Sequence, residues 1–389
     1  SVLAVIVALL VALINPSALP VAAPLLLAWL AGPLVVMWIN QPARQTGQPL
    51  TQDQEKVLRC LARRTWFFYE QFIGPEEHWL APDHFQEDPR GLVAHRTSPT
   101  NIGLMLLSTL AAYDLGYIGL MDLASRLRST FDTMERLQRH QGHFLNWYDT
   151  HNLEPLPPQY VSTVDSGNLA ACLLALKQGL QPLLHEPLLR WQRWQGLLDA
   201  LGVLAELVEG LEGGAPFQAH LAHIRQQVLA VRDEPGRWAP LLAGLSSDGL
   251  KQLDQQLMSL IEVASHDLEA ETLHNLRIWS ERVHHHLLDM QRKVDLLLPW
   301  LLPLSRPPAL FSQAEFDPII TDAWQALHNA LVAIPQLDKA RTVCNAGKTQ
   351  LQRLQVLLAD GRGAAPDRRR AKLFEEARAW CNALADGLD

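Results

Sequence analysis

The chain has 389 residues, a net charge of −8 and 48% hydrophobic residues, enough for a large core and for more than one domain. The acidic balance and the lack of a basic stripe interleaved with aromatics argue against a nucleic-acid binder. Four cysteines lie far apart and form no CxxC pair: Cys60, Cys172, Cys344 and Cys381. This spacing excludes a zinc knuckle or a redox motif and favours free thiols in a reducing compartment.

The first 43 residues contain no charged side chain. An apolar run over residues 2–14 is followed by Asn15-Pro16-Ser17 and a second apolar run over residues 19–39. Because about 20 apolar residues cross a bilayer, residues 1–43 predict a transmembrane helical hairpin whose first span is truncated. The second run is too long for a secretory signal, and no basic residues precede it. A buried hairpin of a soluble protein is the alternative.

Several basic residues follow the second run: Arg44, Lys56, Arg59, Arg63 and Arg64. By the positive-inside tendency, the body of the protein is predicted on the cytoplasmic side of the membrane. The apolar run starts without an initiator Met, so we expect the chain to be a piece of a longer protein.

Four helices are predicted next, alternating between two kinds. Residues 54–72 and 120–140 carry one apolar stripe each. Residues 101–115, which follow Ser98-Pro99-Thr100, are apolar nearly all round, as are residues 167–180. Both of these helices are expected to be buried on all sides. Asp165 or Ser166 is expected to cap the second of them.

A long polar loop precedes each of the two apolar helices. The alternation fits a helical toroid of outer and inner helices, which places both loops at the same end. A helical bundle with irregular loops would give the same alternation. Bundle connections usually run about 2–8 residues, however, and the loop over residues 143–168 is far longer.

The loop over residues 143–168 combines aromatic, carboxylate and amide side chains: Trp147, Tyr148, Asp149, Glu154, Tyr160, Asp165 and Asn168. Aromatic faces stack on the apolar faces of sugars, and carboxylates and amides bind hydroxyls. The loop therefore predicts a sugar-binding cleft. The alternative is a turn-rich connector whose aromatics fill a local core.

The sequence pattern changes in residues 185–364, which consist of long, amphipathic segments rich in Leu and Gln. They predict an inserted helical, coiled-coil-like arm with its charged faces in water. Residues 361–366 are then a linker, and residues 365–389 a helix that returns to the toroid.

Two motifs within the arm are rejected. Gly347-Lys348-Thr349 lacks the leading glycine of a P-loop. His284, His285 and His286 with Glu271 and Glu281 suggest a metal, but the Glu–His pairs point to different faces of one helix. A solvated helix is expected there, and no metal site is predicted.

Residues 66–119, which include AHRTSPTNIG, and residues 142–176, which include NWYDT, resemble the central segment of cyclic β-1,2-glucan synthases. The resemblance implies an all-α fold: the transmembrane hairpin, then part of an (α/α)6 toroid that a long helical insertion interrupts. Residues 50–184 would be the first part of this glucoamylase-like toroid.

The family resemblance also implies a function. Such synthases are very large, multi-pass proteins of the bacterial inner membrane. A transferase region before the spans extends linear β-1,2-glucan from UDP-glucose, and the glucoamylase-like domain cyclises it by retaining transglycosylation. This chain would form one wall of the cyclisation cleft. Its partners would be β-1,2-glucan, the lipid bilayer and the remaining domains of the same polypeptide.

The resemblance places the catalytic carboxylates downstream of this chain, so its catalytic residues are unknown and no cofactor is expected in this region. The chain alone is expected to be inactive. Substrate binding is predicted for seven residues: Arg96, Asn101, Trp147 as a stacking platform, Tyr148, Asp149, Asp165 and Asn168. As alternatives, Asn101 and Asp165 cap helices, Trp147 belongs to the core, and Arg96 pairs with Asp149 to join the two loops.

Two other functions remain open from the sequence. A β-1,2-glucan hydrolase of the same toroid type would use a similar loop, although the membrane hairpin and the long arm count against it. A non-catalytic, membrane-tethered helical scaffold would explain the arm but not the composition of residues 143–168.

Overall fold

The computed structural model describes residues 2–39, 49–264, 269–312, 318–360 and 368–388. The fold is all-α, as predicted, with 76% of the chain helical and almost no sheet. Two compact units, Ser1–Gln54 and Glu55–Asp389, divide the chain.

The N-terminal unit contains two apolar helices, α1 (Val2–Ile14) and α2 (Leu19–Ile39). They pack against each other as a hairpin. The continuous helical segment Pro16–Ile39 has 24 residues and a mean hydropathy of 2.0, so it is long and apolar enough to cross a membrane. Its side chains are mostly exposed. Residues 40–48, including Arg44 and the end of the predicted hairpin, lie outside the described residues.

The four helices predicted after the hairpin are confirmed as α3 (Gln52–Phe72), α4 (Pro99–Asp114), α5 (Leu120–Arg136) and α6 (Thr163–Leu180). Helix α5 ends before the predicted residue 140, because residues 139–140 form a strand. Helix α6 begins earlier than predicted, because the hydroxyl of Ser162 accepts a hydrogen bond from the Asp165 amide at 3.1 Å. The expected cap at Asp165 or Ser166 is therefore wrong: both residues lie in the first turn.

Helices α4 and α6 approach closely because small residues face large ones. A Cβ added to Gly103 would lie 3.0 Å from the Cβ of Cys172, and one added to Gly179 would lie 2.4 Å from Leu110. The expected burial on all sides is wrong, however. Leu104 is 51% and Leu174 is 66% exposed, because none of the described residues covers that face of the helix pair.

Six short strands form three antiparallel pairs in the described residues: β1 (Phe85–Gln86) with β2 (Leu92–Val93), β3 (Arg96–Thr97) with β6 (Tyr148–Asp149), and β4 (Arg139–His140) with β5 (His143–Phe144). In the β3–β6 pair, Arg96 lies opposite Asp149 and Thr97 opposite Tyr148. This pairing confirms that the two long polar loops meet at the same end of α4 and α6.

The rest of the chain is helical, with α7 (Trp191–Val208), α8 (Gly214–Ala230), α9 (Trp238–Gly244), α10 (Leu250–Ala264), α11 (Ala270–Leu297), α12 (Leu301–Leu304), α13 (Pro318–Leu331), α14 (Ala340–Asp360) and α15 (Arg368–Leu388). Short 3₁₀ segments occur at Pro16–Ala18, Pro75–Glu77, Gln181–His185, Pro235–Arg237, Ala309–Ser312 and Leu337–Lys339, and a π-helical segment at Leu245–Gly249. The pairs α7–α11, α13–α14 and α14–α15 pack together.

Two large hydrophobic cores and one small cluster of Ile73, Ala81 and Met105 lie in the described part of the second unit. The first large core runs from Trp66 to Leu183 and the second from Leu189 to Leu388, yet Glu55–Asp389 is one compact unit. The boundaries predicted at 50–184, 185–364 and 365–389, and the toroid itself, stay predictions. The predicted linker at 361–366 lies outside the described residues.

Arg193 on α7, which forms a buried ion pair with Asp289 on α11, links the two large cores through the carbonyl of Gly116. Arg193 binds the Asp289 carboxylate at 2.9 Å and donates to the carbonyl of Gly116 at 2.9 Å. The imidazole of His286 donates to the Arg193 carbonyl at 2.8 Å. Burial, reinforced by the Arg193 charge, lowers the pKa of His286 well below its usual value, so this histidine is neutral.

The expectation of a solvated helix around residues 284–286 is therefore wrong for His286. It lies three residues after Val283 and four before Met290, both of which are buried. At helical spacing these residues share the face that meets α7. His284, by contrast, pairs with Asp254 at 2.9 Å nearer the surface.

Replacing Asp289 tests this connection between the cores. Asp289→Ala leaves Arg193 buried without its counter-charge and also removes an ion pair to Lys293 at 3.2 Å. The free energy of unfolding should fall by about 3–5 kcal/mol, measured by urea denaturation.

Glu234→Ala is the matched control, since it breaks an exposed ion pair with Arg237, whose loss costs about 1 kcal/mol or less. Equal losses for the two variants would contradict the role of the buried pair.

Candidate functional site

Near the N-terminal end of α4, the Asp83 carboxylate accepts hydrogen bonds from three side chains. Arg96 donates to Oδ2 at 3.0 Å, Asn101 donates to Oδ1 at 3.2 Å, and His84 lies 3.2 Å from Oδ2. Partial burial raises the pKa of Asp83, but the hydrogen bonds from Arg96 and Asn101 outweigh it and hold that pKa below its usual value. Asp83 is therefore ionised at neutral pH.

Arg96 thus has a different ion-pair partner from the one considered in the sequence. Its backbone pairs with that of Asp149 across β3 and β6, but its guanidinium binds Asp83. The same guanidinium lies 4.9 Å from the ring centre of Trp147, a cation–π distance. Trp147 is half-buried, so it is neither a core residue nor a fully exposed one.

Asp149 shapes the turn after β6. Its Oδ1 accepts hydrogen bonds from the amides of His151 at 2.8 Å and Asn152 at 3.0 Å. Both bonds use the same oxygen, and no hydrogen bond to Oδ2 occurs among the described residues.

Tyr148 lies inside the core rather than in the cleft. Its side chain is fully buried, and its hydroxyl donates to the Gln138 carbonyl at 2.7 Å and accepts from the Leu145 amide at 2.6 Å. The predicted sugar contact of Tyr148 is therefore wrong, because the side chain has no exposed surface. Its hydroxyl instead stabilises the loop through hydrogen bonds to two backbone groups.

Thr100 joins the first turns of α4 and α6. Its hydroxyl donates to Asp165 Oδ1 at 2.5 Å and accepts from Asn168 Nδ2 at 3.1 Å. Asp165 and Asn168 are three residues apart and share one helix face. Asn101 does not cap α4, because the hydroxyl of Ser98 accepts from its amide at 3.2 Å.

The predicted residues other than Tyr148 thus fall into two sets of contacts, one around Asp83 and Arg96 and one around Thr100, which adjoin because Thr100 and Asn101 are neighbours in the chain. Together they are named the polar face: Asp83, Arg96, Thr100, Asn101, Trp147, Asp149, Asp165 and Asn168. Sequence reasoning missed Asp83 and Thr100. Thr100 lies within a loop already singled out, and Asp83 lies in a loop with the same mixture of aromatic, acidic and His residues. The composition of these loops could have added both residues to the predicted site. The spacing of residues along the chain could not show which side chains they contact.

A second carboxylate, Glu77, lies beside the polar face and was also missed. It is 8% exposed, and its Oε1 contacts Nδ1 of His95 at 2.7 Å and Nε2 of His151 at 3.1 Å. The hydroxyl of Thr150 donates to Oε2. Burial raises the pKa of Glu77, but these hydrogen bonds, with that of Thr150 first, lower it overall.

About half of the chain is similar in sequence to a known protein. No protein-family model matches the chain. Over 207 residues, 52% of the chain, it is 40% identical to cyclic beta-(1,2)-glucan synthase NdvB of Rhizobium meliloti (strain 1021). The chain is similar to a segment of a cyclic β-1,2-glucan synthase. The resemblance stated from the sequence is confirmed, and the matched segment spans 7% of the length of that synthase.

Replacing Asp83 tests the polar face as a folded unit. Asp83→Asn should lower the free energy of unfolding at neutral pH by about 1 kcal/mol, since Arg96 is half in solvent. Because the folded pKa of Asp83 is depressed, its contribution is complete above the unfolded pKa of about 3.9 and is lost as the pH falls through the lower folded value.

Urea denaturation of both proteins between neutral and acidic pH measures this difference. Glu154→Gln, an exposed substitution in the loop between β6 and α6, is the control and should leave the free energy of unfolding unchanged. A stability difference that does not shrink in acid would contradict the role assigned to the ionised Asp83.

Proposed function

We propose that the chain is part of a membrane-bound cyclic β-1,2-glucan synthase and that its polar face is one wall of the cleft in which linear β-1,2-glucan is cyclised. The similarity to a glucan synthase over 52% of the chain supports the family. The observation that carries the site is that Arg96, Trp147 and Asp149 meet at the β3–β6 pair, while Thr100, four residues after Arg96, binds Asp165 and Asn168 on α6.

The polar face is suited to a sugar because its groups are oriented before a ligand arrives. One oxygen of Asp149 holds a turn, and one oxygen of Asp165 binds Thr100. Within the described part of the chain, the second oxygen of each carboxylate and the amide oxygen of Asn168 accept no hydrogen bond, and we assign them to sugar hydroxyl groups. Holding polar groups in place through other bonds reduces the entropy lost on binding.

Trp147 supplies the apolar element. Its ring is half-buried and held by Arg96 at 4.9 Å from its centre. A ring fixed in this way offers a flat, partly exposed surface for the C–H face of a glucose unit. The proposed role of Trp147 is therefore stacking, with Arg96 both supporting the ring and reaching sugar hydroxyls.

The polar face positions the substrate and does not carry out the chemistry. In retaining transglycosylation, one carboxyl group must be protonated to act as the general acid, and its pKa is raised for that purpose. The pKa values of Asp83 and Glu77 are lowered, which is the opposite tuning. We therefore place the reacting carboxylate pair in other parts of the synthase.

The segment Pro16–Ile39 would anchor this wall to the bacterial inner membrane, with the body on the cytoplasmic side. The anchor would keep the cleft near the region that extends the glucan from UDP-glucose. No cofactor is assigned to the polar face itself.

Ligand binding tests the site. A β-1,2-glucooligosaccharide titrated into the whole chain in detergent should change the tryptophan fluorescence and give a measurable Kd. Trp147→Ala should raise that Kd at least about 10-fold, a loss of roughly 1.4 kcal/mol. Calorimetry follows the variant, since it loses the reporting ring.

Tyr160→Ala is the matched control, because Tyr160 is 53% exposed in the same loop and, among the described residues, its backbone pairs with Asn146, which lies outside the polar face. A β-1,3-glucooligosaccharide controls for the linkage. Absence of any saturable response to the β-1,2-linked ligand would contradict the proposed site.

Turnover provides a separate check on the location of the chemistry. The purified chain, incubated with linear β-1,2-glucan, should release neither cyclic products nor shortened chains, as judged by mass spectrometry. Products that disappear in Asp83→Asn would show that the polar face itself reacts with the glucan.

A further inference from the structure

The cluster of Glu77, His95 and His151 has a geometry that sugar binding does not explain. Each residue offers one ligand atom, and the three atoms all lie within 4.8 Å of one another. They come from three separate segments: the turn Pro75–Glu77 after α3, the residue before β3, and the turn after β6. Three distant parts of the chain therefore bring two imidazoles and a carboxylate to one point.

The imidazole nitrogens both face a single oxygen. Nδ1 of His95 and Nε2 of His151 lie 2.7 Å and 3.1 Å from Glu77 Oε1. The centres of the two imidazole rings are 4.1 Å apart. Small movements of these side chains would place one ion between two nitrogens and an oxygen.

The surroundings of Glu77 fix its orientation. The Thr150 hydroxyl holds the other carboxylate oxygen, Oε2, and Thr150 is fully buried. Its carbonyl is in turn 2.9 Å from Nδ1 of His78. Outer hydrogen bonds of this kind are what orient the ligands of metal sites in proteins.

The backbone next to Glu77 is held in an unusual conformation. His78 and Trp79 have φ of 50° and 61°, in the left-handed region that residues other than glycine seldom adopt. The hydroxyls of Thr133 and Thr130 donate to the carbonyls of His78 and Trp79 at 2.7 Å and 2.9 Å. The turn that presents Glu77 is thus fixed from the side of α5.

Solvent reaches the cluster from the imidazole side. The side chains of His95 and His151 are 42% and 52% exposed, whereas that of Glu77 is 10% exposed. An ion held by the three residues would therefore have protein on one side and water on the other. Three protein ligands with an open position are typical of non-structural zinc sites.

We propose that Glu77, His95 and His151 bind a divalent transition-metal ion of the zinc class. Two imidazole nitrogens and one carboxylate suit Zn²⁺ or Co²⁺, whereas Mg²⁺ and Ca²⁺ prefer oxygen ligands. The ion would clamp the residue before Arg96 to the turn held by Asp149, so that it orders the polar face. The inference does not depend on the proposed function, because the ligands are defined by their own geometry.

Metal titration tests the proposal directly. The whole chain, treated with a chelator and dialysed, is titrated with Zn²⁺ by calorimetry and with Co²⁺ by visible absorption. We expect one ion per chain and the d–d absorption of Co²⁺ bound to nitrogen and oxygen ligands. Loss of a residue that only hydrogen-bonds to a metal ligand lowers metal affinity roughly 10- to 100-fold. His95→Ala and His151→Ala each remove a ligand itself, so each should raise the Kd for the metal by at least that factor.

His84→Ala is the matched control, since His84 is an exposed histidine that contacts Asp83 instead, and its variant should bind as the wild type does. His151→Gln keeps a donor towards Glu77 while it removes the imidazole, so a folded variant remains if the alanine substitution unfolds the loop. Circular dichroism verifies folding. No saturable site, or equal affinity in wild type, His95→Ala and His151→Gln, would overturn the proposal.

Discussion

Two buried or partly buried carboxylates, Glu77 and Asp83, determine the geometry of the candidate site. Glu77 gathers Thr150, His95 and His151, and Asp83 gathers Arg96, Asn101 and His84. Ordering each loop residue costs about 1–2 kcal/mol of backbone entropy. A hydrogen bond to a charged group returns about 1.5–3 kcal/mol. Long polar loops without an apolar core of their own need several such bonds to hold one shape.

The helices α4 and α6 give these loops a rigid base. Their close contact at Gly103 and Gly179 places the first turns of both helices side by side, and Thr100 connects them through Asp165 and Asn168. The polar face therefore rests on regular helices and on a two-residue strand pair. Arg193, which Asp289 holds in a buried ion pair, donates to the Gly116 carbonyl and so joins this part of the body to the second core.

Sequence periodicity could predict the helices because burial repeats at helical spacing. It located α3 to α6 and the apolar hairpin, and it singled out the two loops that meet. Two predictions for α6 were wrong. Its N-cap is Ser162, and Leu174 on one of its faces is exposed. Local patterns do not reveal which hydroxyl reaches the amide of Asp165, or whether another surface covers an apolar face.

The long-range contacts of the site could not be predicted for a related reason. The partner of Arg96 is Asp83, thirteen residues away in sequence, and Glu77 meets His151 across 74 residues. Pairings over such separations are set by the packed fold and leave no periodic signal. Tyr148 shows the same limit, since an aromatic residue in a polar loop is equally typical of a ligand contact and of a small core.

Hydrogen–deuterium exchange of the whole chain, with and without linear β-1,2-glucan, measures whether the polar face binds the glucan. We expect the glucan to slow exchange in the peptides that contain residues 95–101 and 147–151 and in the first turn of α6. A β-1,3-linked glucan of equal length should not slow it. Protection elsewhere in the body with none in these segments would contradict the assignment of the polar face to the glucan cleft.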